Sequence, residues 1–91
     1  MPITQNLLTL SLGTPVQIVE PQTQAQEVHL HNMSKSSNQY IHIGTSSVST
    51  ANSLHLDPGD TMRLNLGPSD DLWAISDPGG LQVGVLVVKQ D

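Results

Sequence analysis

The chain has 91 residues, a formal net charge of −5 and no cysteine. This length is enough for one domain and too short for two, and the absence of cysteine excludes disulfides and cysteine-ligated metals. With three lysine and arginine residues in total, the chain lacks the several cations on which binding to a nucleic-acid backbone depends. A domain this small is marginally stable alone, and oligomerisation is a common way to add stability, so we expect a homo-oligomer.

The N-terminal segment carries no basic residues, and the apolar stretch after it is short and interrupted by Thr9 and Ser11. This pattern is typical of neither a signal peptide nor a membrane span, so we expect no membrane partner. We predict that residues 1–6 form a flexible N-terminal arm and that residues 7–91 form a single domain.

Apolar and polar residues alternate along most of the chain, as in half-buried antiparallel strands. The alternating segments are residues 8–12, 16–18, 27–31, 40–43, 54–56, 62–66, 73–75 and 81–87. Turns rich in proline and glycine separate several of them, including residues 57–60 and 77–80. About eight short strands predict an all-β, single-domain antiparallel β-sandwich or a jelly-roll-like small barrel.

Both Asp-Pro-Gly turns are expected to close hairpins whose strands pair with each other. If the apolar residues of both strands lie on one face, Leu56 pairs with Met62 across the first turn. Across the second turn the same reasoning pairs Trp73 with Val83 and predicts that Trp73 lies in the core.

A third predicted hairpin, between residues 28–32 and 39–43, places His29 opposite His42, with His31 on the same outer face. Cross-strand Cβ atoms lie roughly 4.5–5.5 Å apart, within reach of a shared zinc or nickel ion. His29, His31 and His42 are therefore weak metal candidates. Two alternatives stay open: ordinary polar surface positions, and a subunit contact that loosens as imidazoles become charged below about pH 6.5.

The last strand departs from alternation, because Leu86 and Val88 place apolar groups on the face that should be polar. Such a face is either covered by a loop or buried against another subunit. The residues we select as interface candidates are Ile3, Leu7, Tyr40, Leu86 and Val88.

No motif for catalysis or cofactor binding is present in the sequence. The chain lacks a cysteine nucleophile, a Gly-x-Ser-x-Gly elbow and a phosphate-binding loop. Its acidic residues cluster in turns, where bonds to the local backbone account for them better than calcium does. We predict no catalytic residue, no enzyme activity and no cofactor.

The order of features from Val28 to Val88 carries a family resemblance. In sequence they are the strand Val28-His29-Leu30-His31-Asn32, the strand Tyr40-Ile41-His42-Ile43-Gly44, a Ser/Thr-rich segment at 45–53, the turn Leu56-Asp57-Pro58-Gly59-Asp60, the segment 72–75 and a valine-rich final strand. This order resembles small phage virion proteins, particularly capsid cement or decoration proteins.

The resemblance implies a non-enzymatic structural protein of the virion, assembled in the host cytoplasm. Such a protein is often a trimer or a dimer, binds the major capsid protein or another virion protein, and stabilises the assembled phage shell. The alternative is a carbohydrate-binding or adhesion module of a tail or surface assembly. That function would require an exposed aromatic residue such as Tyr40.

Overall fold

Eight strands make up most of the computed structural model, which describes residues 3–51 and 54–89. They are β1 (Ile3–Thr9), β2 (Val16–Val19), β3 (Gln26–Asn32), β4 (Tyr40–Gly44), β5 (Leu54–Leu56), β6 (Thr61–Leu66), β7 (Leu72–Asp77) and β8 (Gln82–Lys89). Within these described ranges no helix is long and apolar enough to cross a membrane. The predicted all-β fold is confirmed.

The strands pair in a nested order: β1 with β8, β2 with β7, β3 with β6, and β4 with β5. Pairing of β3 with β8 and of β4 with β7 joins them into two sheets. We call β1-β8-β3-β6 the front sheet and β2-β7-β4-β5 the back sheet. All six pairings are antiparallel, and two packed sheets with this strand order form an eight-stranded jelly roll.

The core lies between the two sheets and is built from alternate residues of the strands. Its largest contributions come from β3, β4, β7 and β8, in the phase expected for half-buried strands. The buried apolar side chains from these strands are Val28, Leu30, Ile41, Ile43, Leu72, Ala74, Val83, Val85 and Val87.

Both Asp-Pro-Gly turns connect the two sheets, so the predicted hairpins across them are wrong. Leu56 pairs with Ile41 in the back sheet, and Met62 pairs with Leu30 in the front sheet. A jelly roll passes the chain from one sheet to the other at nearly every connection, and of the described strands only β4 and β5 are consecutive neighbours in one sheet. Gly59, which follows Pro58 in the first of these turns, has φ 80°.

Trp73 lies on the outer face of the back sheet, so the prediction that it faces Val83 in the core is wrong. The inward residue next to it is Ala74, which is fully buried. The half-buried indole donates a hydrogen bond from Nε1 to the Asp71 carboxylate at 3.1 Å. Periodicity failed here because both faces of β7 are apolar: Ile75, which shares the outer face with Trp73, is also buried.

A loop covers part of this outer face of the back sheet. Val48, in the connection between β4 and β5, is buried. Its Cγ2 lies 3.3 Å from the position that a Cβ on Gly44 would occupy, and Gly44 is the register partner of Trp73. The back sheet therefore has apolar residues on both faces, with a loop over the outer one.

The described part of the predicted N-terminal arm differs from expectation. β1 begins at Ile3 and runs without a register break to Thr9, paired throughout with β8. The boundary predicted after Asn6 therefore falls inside a strand and is corrected, whereas residues 1 and 2 lie outside the described ranges. β1 is exposed at every position except Leu8, so its pairing with β8 holds it in place more than burial does.

Candidate assembly surface

The outer face of the front sheet is built from alternate residues of its four strands. In strand order they are Ile3, Gln5 and Leu7; Gly84, Leu86 and Val88; Glu27, His29 and His31; and Thr61, Arg63 and Asn65. Since alternate residues of a strand point to the same face, these side chains lie opposite the core. The face divides into an apolar half on β1 and β8 and a polar half on β3 and β6.

The apolar half contains four of the five interface candidates. Ile3 lies directly opposite Val88, and Leu7 lies opposite Gly84, two residues from Leu86. Ile3 and Leu7 are 62% and 55% exposed, whereas Leu86 and Val88 are half-buried. The structure thus brings together residues from the two ends of the chain.

Met33 extends this surface just beyond the end of β3. Its amide donates to the carbonyl oxygen of Gln82 at 3.2 Å, and its side chain is 43% exposed. We call Ile3, Leu7, Met33, Leu86 and Val88 the apolar patch. The sequence did not single out Met33, because it follows the strand in what reads as a turn.

A groove of about 870 Å³ runs across the face above Gly84. Because Gly84 has no side chain, the surface is depressed there between the larger side chains of its neighbours. Apolar and polar side chains line the groove: Leu7, Met33, Leu86, His29, His31, Thr61 and Arg63. A glycine inside a strand often marks close approach by another backbone or a ligand, and this groove offers such access.

Charged groups lie on the polar half of the face. Arg63 donates from Nε to Oε1 of Glu27 at 2.8 Å, and His29 lies 3.4 Å from the same oxygen. Arg63 is 68% exposed, and ion pairs in that setting contribute little to stability. The outward residues of β1 and β8 carry no charge, so the patch can be buried without desolvating an ion.

The four histidines separate into two pairs on opposite sides of the molecule. His29 and His31 lie on the outer face of the front sheet, whereas His42 lies in the back sheet. The predicted pairing of His29 with His42 is wrong, because β3 and β4 belong to different sheets. The three weak metal candidates are not brought together, and no group of three or more metal-ligating side chains occurs within the described ranges.

His42 and His55 form a neighbouring pair that sequence reasoning missed. They are direct partners on β4 and β5, with ring centroids 6.0 Å apart. Burial lowers the pKa of His42 below its usual value, and the charge of His55 lowers it further, while Asp77 opposes the shift. Tyr40, the fifth interface candidate, lies on β4 of the back sheet, away from the apolar patch. Its ring packs edge-on against the ring of His55, with the ring centroids 5.7 Å apart.

Among known proteins, the chain shows a similarity of fold to a solved structure. No family model and no curated protein matches the chain. The chain is similar to a solved structure from Bacillus endospore appendages, described as a novel family of disulfide-linked pili, with a TM-score of 0.51 and 9% identity over 98% of this chain and 89% of that one. At this identity the likeness concerns the fold, and the present chain has no cysteine.

Proposed function

We propose that this protein is a non-enzymatic structural subunit that assembles through the apolar patch on its front sheet. The observation that carries the proposal is the convergence of Ile3, Leu7, Leu86 and Val88 on one uncharged surface. An exposed apolar surface of this kind is typical of a contact between subunits. Each apolar side chain that becomes fully buried contributes roughly 1.5–3 kcal/mol.

More specifically, we propose a capsid cement or decoration protein that binds the assembled phage shell and resides in the virion. The resemblance of residues 28–88 to small phage virion proteins supports this proposal, and jelly rolls are common among viral capsid domains. The fold likeness to a chain from pili supports the broader idea that a domain of this shape serves as a repeating structural unit. The expected partners are further copies of the chain and the major capsid protein.

Light scattering tests the assembly surface. The wild-type protein is expected to have a mass of at least two 9.8 kDa chains, and the double variant Leu86→Ser, Val88→Ser is expected to have a smaller mass than the wild type while remaining folded by circular dichroism. Leu54→Ser is the matched control, since Leu54 is 62% exposed but lies on the back sheet. A folded double variant with the wild-type mass would refute assembly through the patch.

Co-sedimentation tests the virion assignment separately. Purified protein should bind, at fixed stoichiometry, to shells of the phage that encodes it when those shells were assembled without it. The double variant should lose this binding, and the Leu54→Ser control should retain it. Assembly of the free protein without any binding to shells would refute the decoration function and leave the structural one intact.

Sugar binding by the back sheet is a second candidate, favoured by the position of the aromatic side chains. Tyr40 and Trp73 are the chain's two large aromatic residues, and both lie on the outer face of that sheet. They sit at opposite ends of the β4–β7 pairing, opposite Asp77 and Gly44 respectively, and both are half-buried. A glycan array read alongside tryptophan fluorescence tests this candidate, and binding that Tyr40→Ala abolishes would favour it over assembly.

A further inference from the structure

We infer that two copies of this chain join by antiparallel pairing of their β1 strands about a two-fold axis at Gln5. The two front sheets then form one continuous eight-stranded sheet. The inference rests on the proposed structural function and specifies its partner, a second copy of the chain, and the geometry of the contact.

The free edge of β1 is open to such pairing. β1 is the outermost strand of the front sheet, runs for seven residues without a bulge, and contains neither a charged residue nor proline. Every residue except Leu8 is exposed. An edge strand of this kind presents unpaired backbone groups that another strand can satisfy.

The other three edge strands in the described structure each carry a feature that opposes pairing. β5 has only three residues. β2 has four residues and a register shift between Gln17 and Val19. β6 carries the exposed cation Arg63 on its outer face. Short length, bulges, proline and charge are the devices that protect sheet edges, and β1 has none of them.

Face matching selects the register of the pairing. A two-fold axis at Gln5 places Ile3 opposite Leu7 of the second copy, and Gln5 opposite itself, all on the outer face. An axis at Asn6 would instead place Ile3 opposite Thr9 and Gln5 opposite Leu7, apolar against polar. Cross-strand apolar pairs stabilise a sheet, so the axis at Gln5 is favoured.

The same register makes the apolar patch continuous across the dimer. Ile3 is the partner of Val88 within one chain, and Leu7 of the second copy would flank Ile3 on its other side. The four central strands of the joined sheet would therefore carry one apolar band on their outer face. Such a band gives the dimer a larger surface for further contacts than either chain has alone.

Cysteine cross-linking tests the axis, because the natural chain contains no cysteine. Directly opposed residues have Cβ atoms roughly 4.5–5.5 Å apart, close to disulfide range. Gln5→Cys should give a covalent dimer on mild oxidation, at least several-fold more than Asn6→Cys, whose side chain would face Thr4 of the second copy. Equal cross-linking by the two variants, or none by either, would overturn the register.

Charge substitution tests the pairing without a covalent bond. Gln5→Lys and Gln5→Glu should each lower the average mass measured by light scattering, because like charges would meet at the two-fold axis. An equimolar mixture of the two variants should restore the wild-type mass. Asn65→Lys and Asn65→Glu, on the exposed outer face of β6, are the matched controls and should have no effect.

The outcomes separate the inference from the function on which it rests. If the wild-type protein is monomeric at all concentrations, self-assembly fails and the inference fails with it. If the wild-type protein oligomerises but the substitutions at Gln5 change neither mass nor cross-linking, the β1 pairing is wrong and assembly through the patch stands.

Discussion

The side-chain amide of Asn32, at the end of β3, donates a hydrogen bond to the carbonyl oxygen of Leu56 in the opposite sheet, at 3.0 Å. The same amide nitrogen donates to the carbonyl oxygen of Gln39 at 3.0 Å, and Oδ1 accepts from the amide of Ser34. Asn32 is completely buried. Its side chain therefore ties the two sheets together at one end of the sandwich.

Asn32→Asp should destabilise the fold by about 3–5 kcal/mol, because a buried carboxylate would place an oxygen against the carbonyl oxygens of Gln39 and Leu56 with no cation beside it within the described residues. Urea denaturation measures the change. Asn65→Asp, at an exposed position on β6, is the matched control and should stay within about 0.5 kcal/mol of the wild type. Equal stability of the two variants would show that the Asn32 bonds do not hold the sheets together.

Ser76→Ala should stabilise the protein by about 1 kcal/mol. Ser76 is fully buried on the inner face of β7, and its hydroxyl has no hydrogen-bond partner within the described residues. A buried polar group without a hydrogen bond lowers the free energy of unfolding, so removing the group should raise it. Thermal and urea unfolding measure the gain, with Ser46→Ala in an exposed loop as the control. Destabilisation by Ser76→Ala would mean that the hydroxyl is bonded in solution.

The free energy of unfolding should fall as the pH drops below about 6.5, the usual pKa of histidine. Burial and the charge of His55 lower the pKa of His42 in the folded state, and Asp77 opposes this only in part. In the pH window between the folded and unfolded pKa values, the unfolded chain binds a proton that the folded chain does not, so acid favours unfolding.

His42→Gln should flatten this pH dependence, as measured by urea unfolding at a series of pH values on both sides of pH 6.5. His31→Gln, at an exposed position on the front sheet, is the control and should keep the wild-type slope. An unchanged slope in His42→Gln would assign the effect to other groups.

Gly59→Ala should destabilise the fold by about 1–2 kcal/mol, because Gly59 has φ 80° and a residue with a Cβ is strained there. Apart from its two chain neighbours, no described residue places an atom within 4 Å of the added methyl group, so the cost is conformational. Gly13→Ala is the matched control, with equally open space and no positive φ, and should be neutral or slightly stabilising. Equal effects on unfolding at the two sites would contradict this account of the turn.

Alternation predicted which residues of β3, β4 and β8 face the core, but it did not predict which strands pair. A period of two fixes the face of a residue and carries no information about the neighbouring strand. Leu56 and Met62 are close along the chain and agree in face, yet the jelly roll places them in different sheets. Trp73 was misplaced for a related reason, since β7 is apolar on both faces and a loop covers one of them.

The candidate surface was predicted in part. Leu86 and Val88 stood out because they break the alternation, and they do lie on the outer face beside Ile3 and Leu7. The groove above Gly84 was not anticipated, although a glycine within a valine-rich strand was a visible signal. The open edge of β1 was missed because Ile3–Asn6 were interpreted as an arm, and their pairing with β8 is a long-range contact that local sequence does not specify.

Hydrogen exchange measured at a series of protein concentrations tests the central claim, assembly through the front sheet, most directly. As the concentration rises, protection should increase in β1 and β8 and remain constant in β2 and β5 on the back sheet. Leu86→Ser, Val88→Ser should abolish the increase in β8, and Leu54→Ser should preserve it. Protection that rises on the back sheet while β1 and β8 stay unchanged would contradict the account.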